Sequence, residues 1–177
     1  MFHLSIGRIL TAAAILSAPL RAGDYDHLFD VVRDVWPERT LAMAICDKDA
    51  SQLELIDLAE TAKARNISLL IVDLKEEKDY NKTMAGAMSR NPGFVFIIDG
   101  DPIMGAKGHL TARMIYRATG RDIPTVGLSQ GLLQLGAVLT AGPGAKDPVY
   151  ASKETAARMK LALPEGAVDP TTKKKGK

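Results

Sequence analysis

The sequence predicts an α/β protein: a doubly wound, open sheet of about five mainly parallel strands with helices on both faces. Three observations lead there. Four short uncharged or nearly uncharged runs, TLAMAIC at 40–46, ISLLIVDL at 67–74, FVFII at 94–98 and IPTVGL at 123–128, have the length and composition of buried strands. Each is followed by a segment of helical periodicity, and such alternation implies parallel βαβ units with right-handed crossovers. Finally, 177 residues with 46% hydrophobic content suffice for one core of this kind.

The elements follow in order. Residues 27–36 read as a docking helix, with Leu28, Val31, Val32 and Val35 on one side and Pro37 ending it. After the first strand, 51–65 is helical, its apolar face (Leu55, Ile56, Ala59, Ala62, Ala64) set among Glu54, Asp57, Glu60 and Lys63. Asp49 or Ser51 suits its N-cap and Asn66 its C-terminal stop. The second strand leads to a helix over 77–90, with Tyr80, Met84, Ala87 and Met88 on one face and Asn91-Pro92-Gly93 behind it. The third strand precedes a helix over 107–119, stopped at Gly120; the fourth carries Pro124 early, where a strand tolerates it. A short helix over 130–135, a fifth strand at 137–141 and a final helix over 151–163, closed by Pro164-Glu165-Gly166, complete the reading.

The two ends differ from this body. Residues 1–8 carry Arg8 and no acid, and 9–20 (ILTAAAILSAPL) hold no charge, the pattern of a secretory signal peptide cleaved after Ala22. The expected organisation is therefore a signal peptide at 1–22, a single domain at 23–165 and a disordered basic tail at 166–177. Residues 23–169 hold 17 basic and 21 acidic side chains, a mildly acidic balance that lacks the footprint of a nucleic-acid binder. No run approaches the length of a membrane span, and no cysteine follows the apolar segment, so neither a stable membrane anchor nor a lipid anchor is expected. One cysteine, Cys46, and three scattered histidines, His3, His27 and His109, leave no disulfide framework and no soft metal site. No metal and no cofactor is expected.

In an open parallel sheet, ligands gather beyond the carboxyl ends of the strands. Here those loops are 46–51, 73–76, 99–102 and 129–131. Cys46 lies among acids, which disfavour a thiolate, and reads as a buried free thiol. Asp47, Asp49, Asp99 and Asp101 end the first and third strands, which are neighbours in a doubly wound sheet, so hard oxygen ligands for Mg²⁺ could meet there. With Ser129 and Lys146 this resembles a receiver-like phosphoacceptor domain, in which Asp47, Asp49 and Asp99 would hold Mg²⁺ and Asp99 would accept phosphate. No glycine-rich phosphate loop and no Ser/His/Asp arrangement is present, and His109 falls early on a helix, facing solvent. A non-enzymatic role is expected.

The run DIPTVGLSQGLLQLGA at 122–137 carries a more extensive resemblance. It is similar to the strand-and-helix passage of periplasmic substrate-binding proteins of ABC transporters, in the type I class that includes the tryptophan/tyrosine-type binding proteins. Trp36-Pro37 before the first strand, the acid-and-serine turn after it and the Ala-x-x-x-Asn-Ile passage into the second fall in the same order. The resemblance spans about 35–163 and implies a flavodoxin-like lobe. The loops after the first, third and fourth strands would contribute to a ligand cleft, which assigns binding roles to Asp49 and Ser51, to Asp99 and Gly100, and to Ser129 and Gln130. The length provides for one such lobe, so a single-lobe relative is expected. It would be periplasmic, recognising a small-molecule ligand or an envelope protein partner, or pairing with a second copy of itself as a homodimer.

Overall fold

The computed structural model describes residues 25–106 and 108–171. The expected signal peptide at 1–22 and the lysine-rich end lie outside the described residues. Helix α1 (Asp26–Val35) precedes the sheet; then follow β1 (Leu41–Cys46), α2 (Gln52–Ala64), β2 (Ser68–Asp73), a 3-10 turn (Glu77–Asp79) running into α3 (Tyr80–Met88), and β3 (Phe94–Ile97). The second half comprises α4 (His109–Thr119), β4 (Thr125–Gly127), a 3-10 helix (Gln130–Leu135), β5 (Leu139–Ala141), β6 (Val149–Ala151) and α5 (Lys153–Arg158).

These strands form one six-stranded sheet in the order β2-β1-β3-β4-β5-β6. The first five are parallel, in registers such as Ala42 opposite Leu69 on one side and Phe94 on the other, and only β6 runs antiparallel to its neighbour. Alternation along each strand divides the core between two faces. Ala42, Ala44, Phe94, Phe96 and Leu139 meet α1 and α2 on one side; Met43, Ile45, Val95 and Ile97 meet α3 and α4 on the other. Helices thus cover both faces, as the doubly wound class requires.

Local chemistry sets the element ends. Asn66 takes φ 56 just past α2, the left-handed conformation that asparagine accepts more readily than most residues. Ser152 caps α5, its hydroxyl oxygen accepting from Thr155 N at 3.2 Å. In α1 the buried set is Leu28, Phe29 and Val32. Phe29 is the anchor that its neighbouring valines obscured in the sequence: its ring meets Phe94 edge-on at 5.8 Å and Phe96 at 5.7 Å, while Tyr25 meets Phe96 at 5.1 Å.

The carboxyl-terminal part departs from the sequence reading. The expected helix over 151–163 begins with strand β6 and holds only α5, because Lys160, at φ 54, turns the chain away. Leu161 and Leu163 then pack on the core from a non-helical segment, and Ala162 O accepts from Trp36 Nε1 at 3.0 Å. Beyond 165, where a tail was expected, Val168 forms a parallel bridge to Tyr150; its N–H donates to Val149 O and its carbonyl accepts from Ala151 N, each at 2.9 Å. Asp169 Oδ2 then accepts from Lys153 N at 3.1 Å, so contacts with the body extend past 165 to Asp169.

Candidate functional site

The order β2-β1-β3-β4 places the reversal of strand order between β1 and β3, and the crevice outside the carboxyl ends of such strands is where this architecture receives ligands. The loops 46–51 and 99–105 border it. Asp101 lies between them, 5% exposed, with every lone-pair direction engaged. Its Oδ2 accepts from Asp47 N (2.8 Å) and Ser51 Oγ (2.7 Å), its Oδ1 from Ile103 N (2.9 Å) and Met104 N (2.6 Å). One carboxylate thereby ties the loop after β1 to the loop after β3. Gly105 makes the second loop feasible: a Cβ there would collide with the backbone oxygens of Asp99 and Asp101.

The sequence-derived residues fall into two groups on either side of this tie. Toward β2, Asp49 is exposed and pairs with Lys75, whose Nζ stands 2.6 Å from Asp49 Oδ2, 2.8 Å from Asp47 Oδ1 and 3.6 Å from Asp73 Oδ1. Hydrogen bonds to Asp47 and Asp49 raise the Lys75 pKa above its usual value, and the Lys75 hydrogen bond lowers that of Asp47. Asp47 Oδ1 also accepts from the N–H groups of Asp49 (3.0 Å) and Ala50 (3.3 Å), closing the turn. Ser51 is buried and gives its hydroxyl to Asp101.

On the other side, over β3 and β4, the fold brings Asp99 and Ser129 together. Asp99 is half-buried and accepts a hydrogen bond from Ser129 N, while its Oδ1 is enclosed with no hydrogen-bond partner among the described residues. Burial pushes its pKa up to about 6, against the smaller opposing pull of that backbone N–H. Gly127, at the end of β4, is buried under Leu132: a Cβ there would run into the Leu132 side chain and stand 3.6 Å from Asp99 Oδ1. Gly100 and Gln130 are exposed beside these groups in sequence, and Glu54 Oε1 lies 3.4 Å from where a Cβ on Gly100 would be.

Two expectations change on this geometry. The three-carboxylate Mg²⁺ set does not form: Asp47 and Asp49 share the single cation Lys75, Asp101 is saturated by four donors, and no group of three or more His, Cys, Asp or Glu converges on a metal position among the described residues. Lys146 sits exposed in the loop between β5 and β6 and makes no ion pair with Asp99. Cys46 is fully buried, and desolvation, reinforced by Asp101, Asp73 and Asp47, pushes its thiol up to about 12, so it is no nucleophile at neutral pH. His109, 69% exposed at its side chain, stands 3.4 Å from Glu77. The sequence reading passed over Lys75 as an organiser and left Asp101 out of the binding set; a lone base two residues past a strand end rich in acids was the available signal.

The largely parallel sheet with helices on both faces matches the flavodoxin-like lobe fold found in substrate-binding-protein-like domains. Solved structures sharing it include the ABC domain from Streptococcus pneumoniae in complex with L-Trp, at 8% identity and TM-score 0.66, covering 81% of this chain and 58% of that one. Others are the ligand-free, open substrate-binding protein CD0873 from Clostridium difficile (11% identity, TM-score 0.62, 80% and 57% covered) and a conserved domain protein from Vibrio cholerae (12%, 0.62, 79% and 56%). At such identities the likeness is one of fold, and the chain spans less than two thirds of the length of these neighbours. No family model matches the sequence, and no curated protein sequence is similar to it.

Proposed function

We propose that the chain is an exported, non-catalytic binding module that seats a small molecule at the β3–β4 end of the rim, with a cationic amine of the ligand against Asp99. The observation that carries this reading is the enclosed, unpartnered Oδ1 of Asp99. A buried carboxylate oxygen without a donor is costly, and an ammonium group is the partner that relieves it most fully. Ser129 N holds the carboxylate in place, and the exposed Gly100 beside it carries no side chain to bar an approaching ligand. The fold neighbour solved with L-Trp makes amino acids the first class to try. Export rests on the charge and hydropathy pattern of residues 1–22.

Calorimetric titration of the full chain with an amino-acid and amine panel at pH 7.5 tests the site. The expected result is saturable binding by a ligand carrying a free amine, lost on acetylating that amine and weakened at least about tenfold by Asp99→Asn. Equal binding by Asp99→Asn, or no binding by any amine, overturns the assignment. Export has its own test: the mass of the product recovered from an expressing bacterium should correspond to a chain beginning at Gly23, and an intact N-terminus would refute it.

A further inference from the structure

Among the described residues, strand β2 lies at the sheet's margin with one side unpaired. Ser68 N donates to Thr40 O at 2.8 Å and Leu74 N to Cys46 O at 2.9 Å. With the parallel register between, this parity turns the peptide groups of Ser68, Leu70 and Val72 toward β1, and those of Leu69, Ile71 and Asp73 outward. The outward edge is aliphatic and only half-buried from Leu69 to Val72, whereas β3 is buried throughout. Long apolar edges without proline, bulge or central charge invite another strand. Both faces beside it are open. A groove of about 600 Å³ runs between β2 and α3, where Thr83, Gly86 and Ala87 form its wall. A second, of about 370 Å³, lies between Ile71 and the α2 residues Leu55, Ile56 and Ala59, with Ile56 52% exposed.

Charged side chains border the larger groove at both ends. Asp73, Lys75, Asp79 and Lys82 lie toward the carboxyl end of β2, and Arg90 lies past the end of α3, which returns toward the amino end of the strand. Among the described residues neither Asp79 nor Arg90 has an ion-pair partner. Reversed on a second copy, the groove brings the unpaired Arg90 to the end that holds the unpaired Asp79.

We infer that β2 is the interface of a two-fold homodimer, in which two copies pair antiparallel through this edge, centred on Ile71. Ile71 then exchanges backbone hydrogen bonds with its counterpart, and Leu69 with the partner's Asp73, so that every outward peptide group is satisfied. A two-fold axis normal to the sheet keeps α3 of both copies on the same face and brings Arg90 toward the partner's Asp79, twice. Strand pairing alone falls short of the roughly 800 Å² per partner typical of stable interfaces. The exposed Ile56 and Ile71 surface and the walls of both grooves extend it. The antiparallel relation sends the two carboxyl-end rims to opposite ends of the joined sheet, so the dimer neither completes nor blocks the Asp99 site, and its test is independent of the ligand assignment.

Sedimentation velocity of the full chain from about 1 to about 100 µM reads the association directly. The expected result is a concentration-dependent monomer–dimer equilibrium. Arg90→Glu and Asp79→Lys, both at exposed positions, should each weaken it about tenfold through the two symmetric contacts, and the double swap should restore it to within about threefold. Ile71→Pro removes an outward N–H that β1 does not use and should abolish pairing; unchanged circular dichroism would confirm its fold, and if it fails to fold the charge swap alone decides. A chain that stays monomeric at the highest concentration, or a dimer indifferent to both charge reversals, overturns the inference.

Discussion

At the scale of single residues, two aspartates two positions apart have opposite fates. Asp101 accepts four hydrogen bonds and holds two loops together; Asp99 accepts one from Ser129 N and keeps an enclosed oxygen without a donor. The Asp99 pKa, raised by burial from 3.8 to about 6, links this residue to stability. Because the folded state binds the proton more tightly than the unfolded state, the contribution of Asp99 is fully present below pH 4 and is lost as pH rises through about 6. Asp99→Asn should therefore raise the melting temperature at pH 8 and have little effect at pH 4, the difference amounting to at most about 3 kcal/mol. Thermal denaturation of both proteins across that range checks it; a constant difference would mean that Asp99 is not held in its neutral form by the fold. Position 99 was readable in the sequence as a strand-end acid. That Asp101 would turn inward, and Ser51 with it, was not, since the direction of each carboxylate is decided by amides from loops far apart in the chain.

At the scale of elements, helix α1 is held by the Phe29 ring as well as by Leu28 and Val32. Phe29 is fully buried against Phe94 and Phe96, and truncating such a side chain leaves a cavity as well as lost contact area. Phe29→Ala should cost about 3–5 kcal/mol by urea denaturation, whereas Val31→Ala, at a partly buried position, should cost about 1 kcal/mol. The parallel strands were legible because TLAMAIC, ISLLIVDL and FVFII have no rival reading once helices separate them. Strand β6 was not: Val149–Ala151 is too short for alternation to register, and its pairing with β5 is a tertiary fact. The last helix was over-read because Leu161 and Leu163 continue its apolar pattern while serving the core from a segment beyond Lys160.

At the scale of the whole molecule, the sheet grades from a sealed centre to open margins. Strands β1 and β3 pair on both sides and are covered on both faces, while β6 rests on three pairs to β5 and the single bridge to Val168. Native-state hydrogen exchange should place Met43 and Val95 among the slowest amides, opening only with global unfolding, and Tyr150 among the first strand amides to exchange. Slower exchange at Tyr150 than at Val95 would contradict that gradient. The sequence reading reached this architecture because strand-helix alternation leaves few topologies; it did not reach the division of the rim into two chemical neighbourhoods, which depends on Lys75 crossing from the end of β2 to the turn after β1.

The four-fold engagement of Asp101 has a kinetic corollary. To swing either loop outward, the molecule would have to strand a formal charge away from water or pull its donors apart, so the crevice keeps one shape on the timescale of an encounter. Because Asp99 Oδ1 is enclosed, an amine binding there as proposed would have to wait for the groups around it to move aside, and that step would limit the speed of capture.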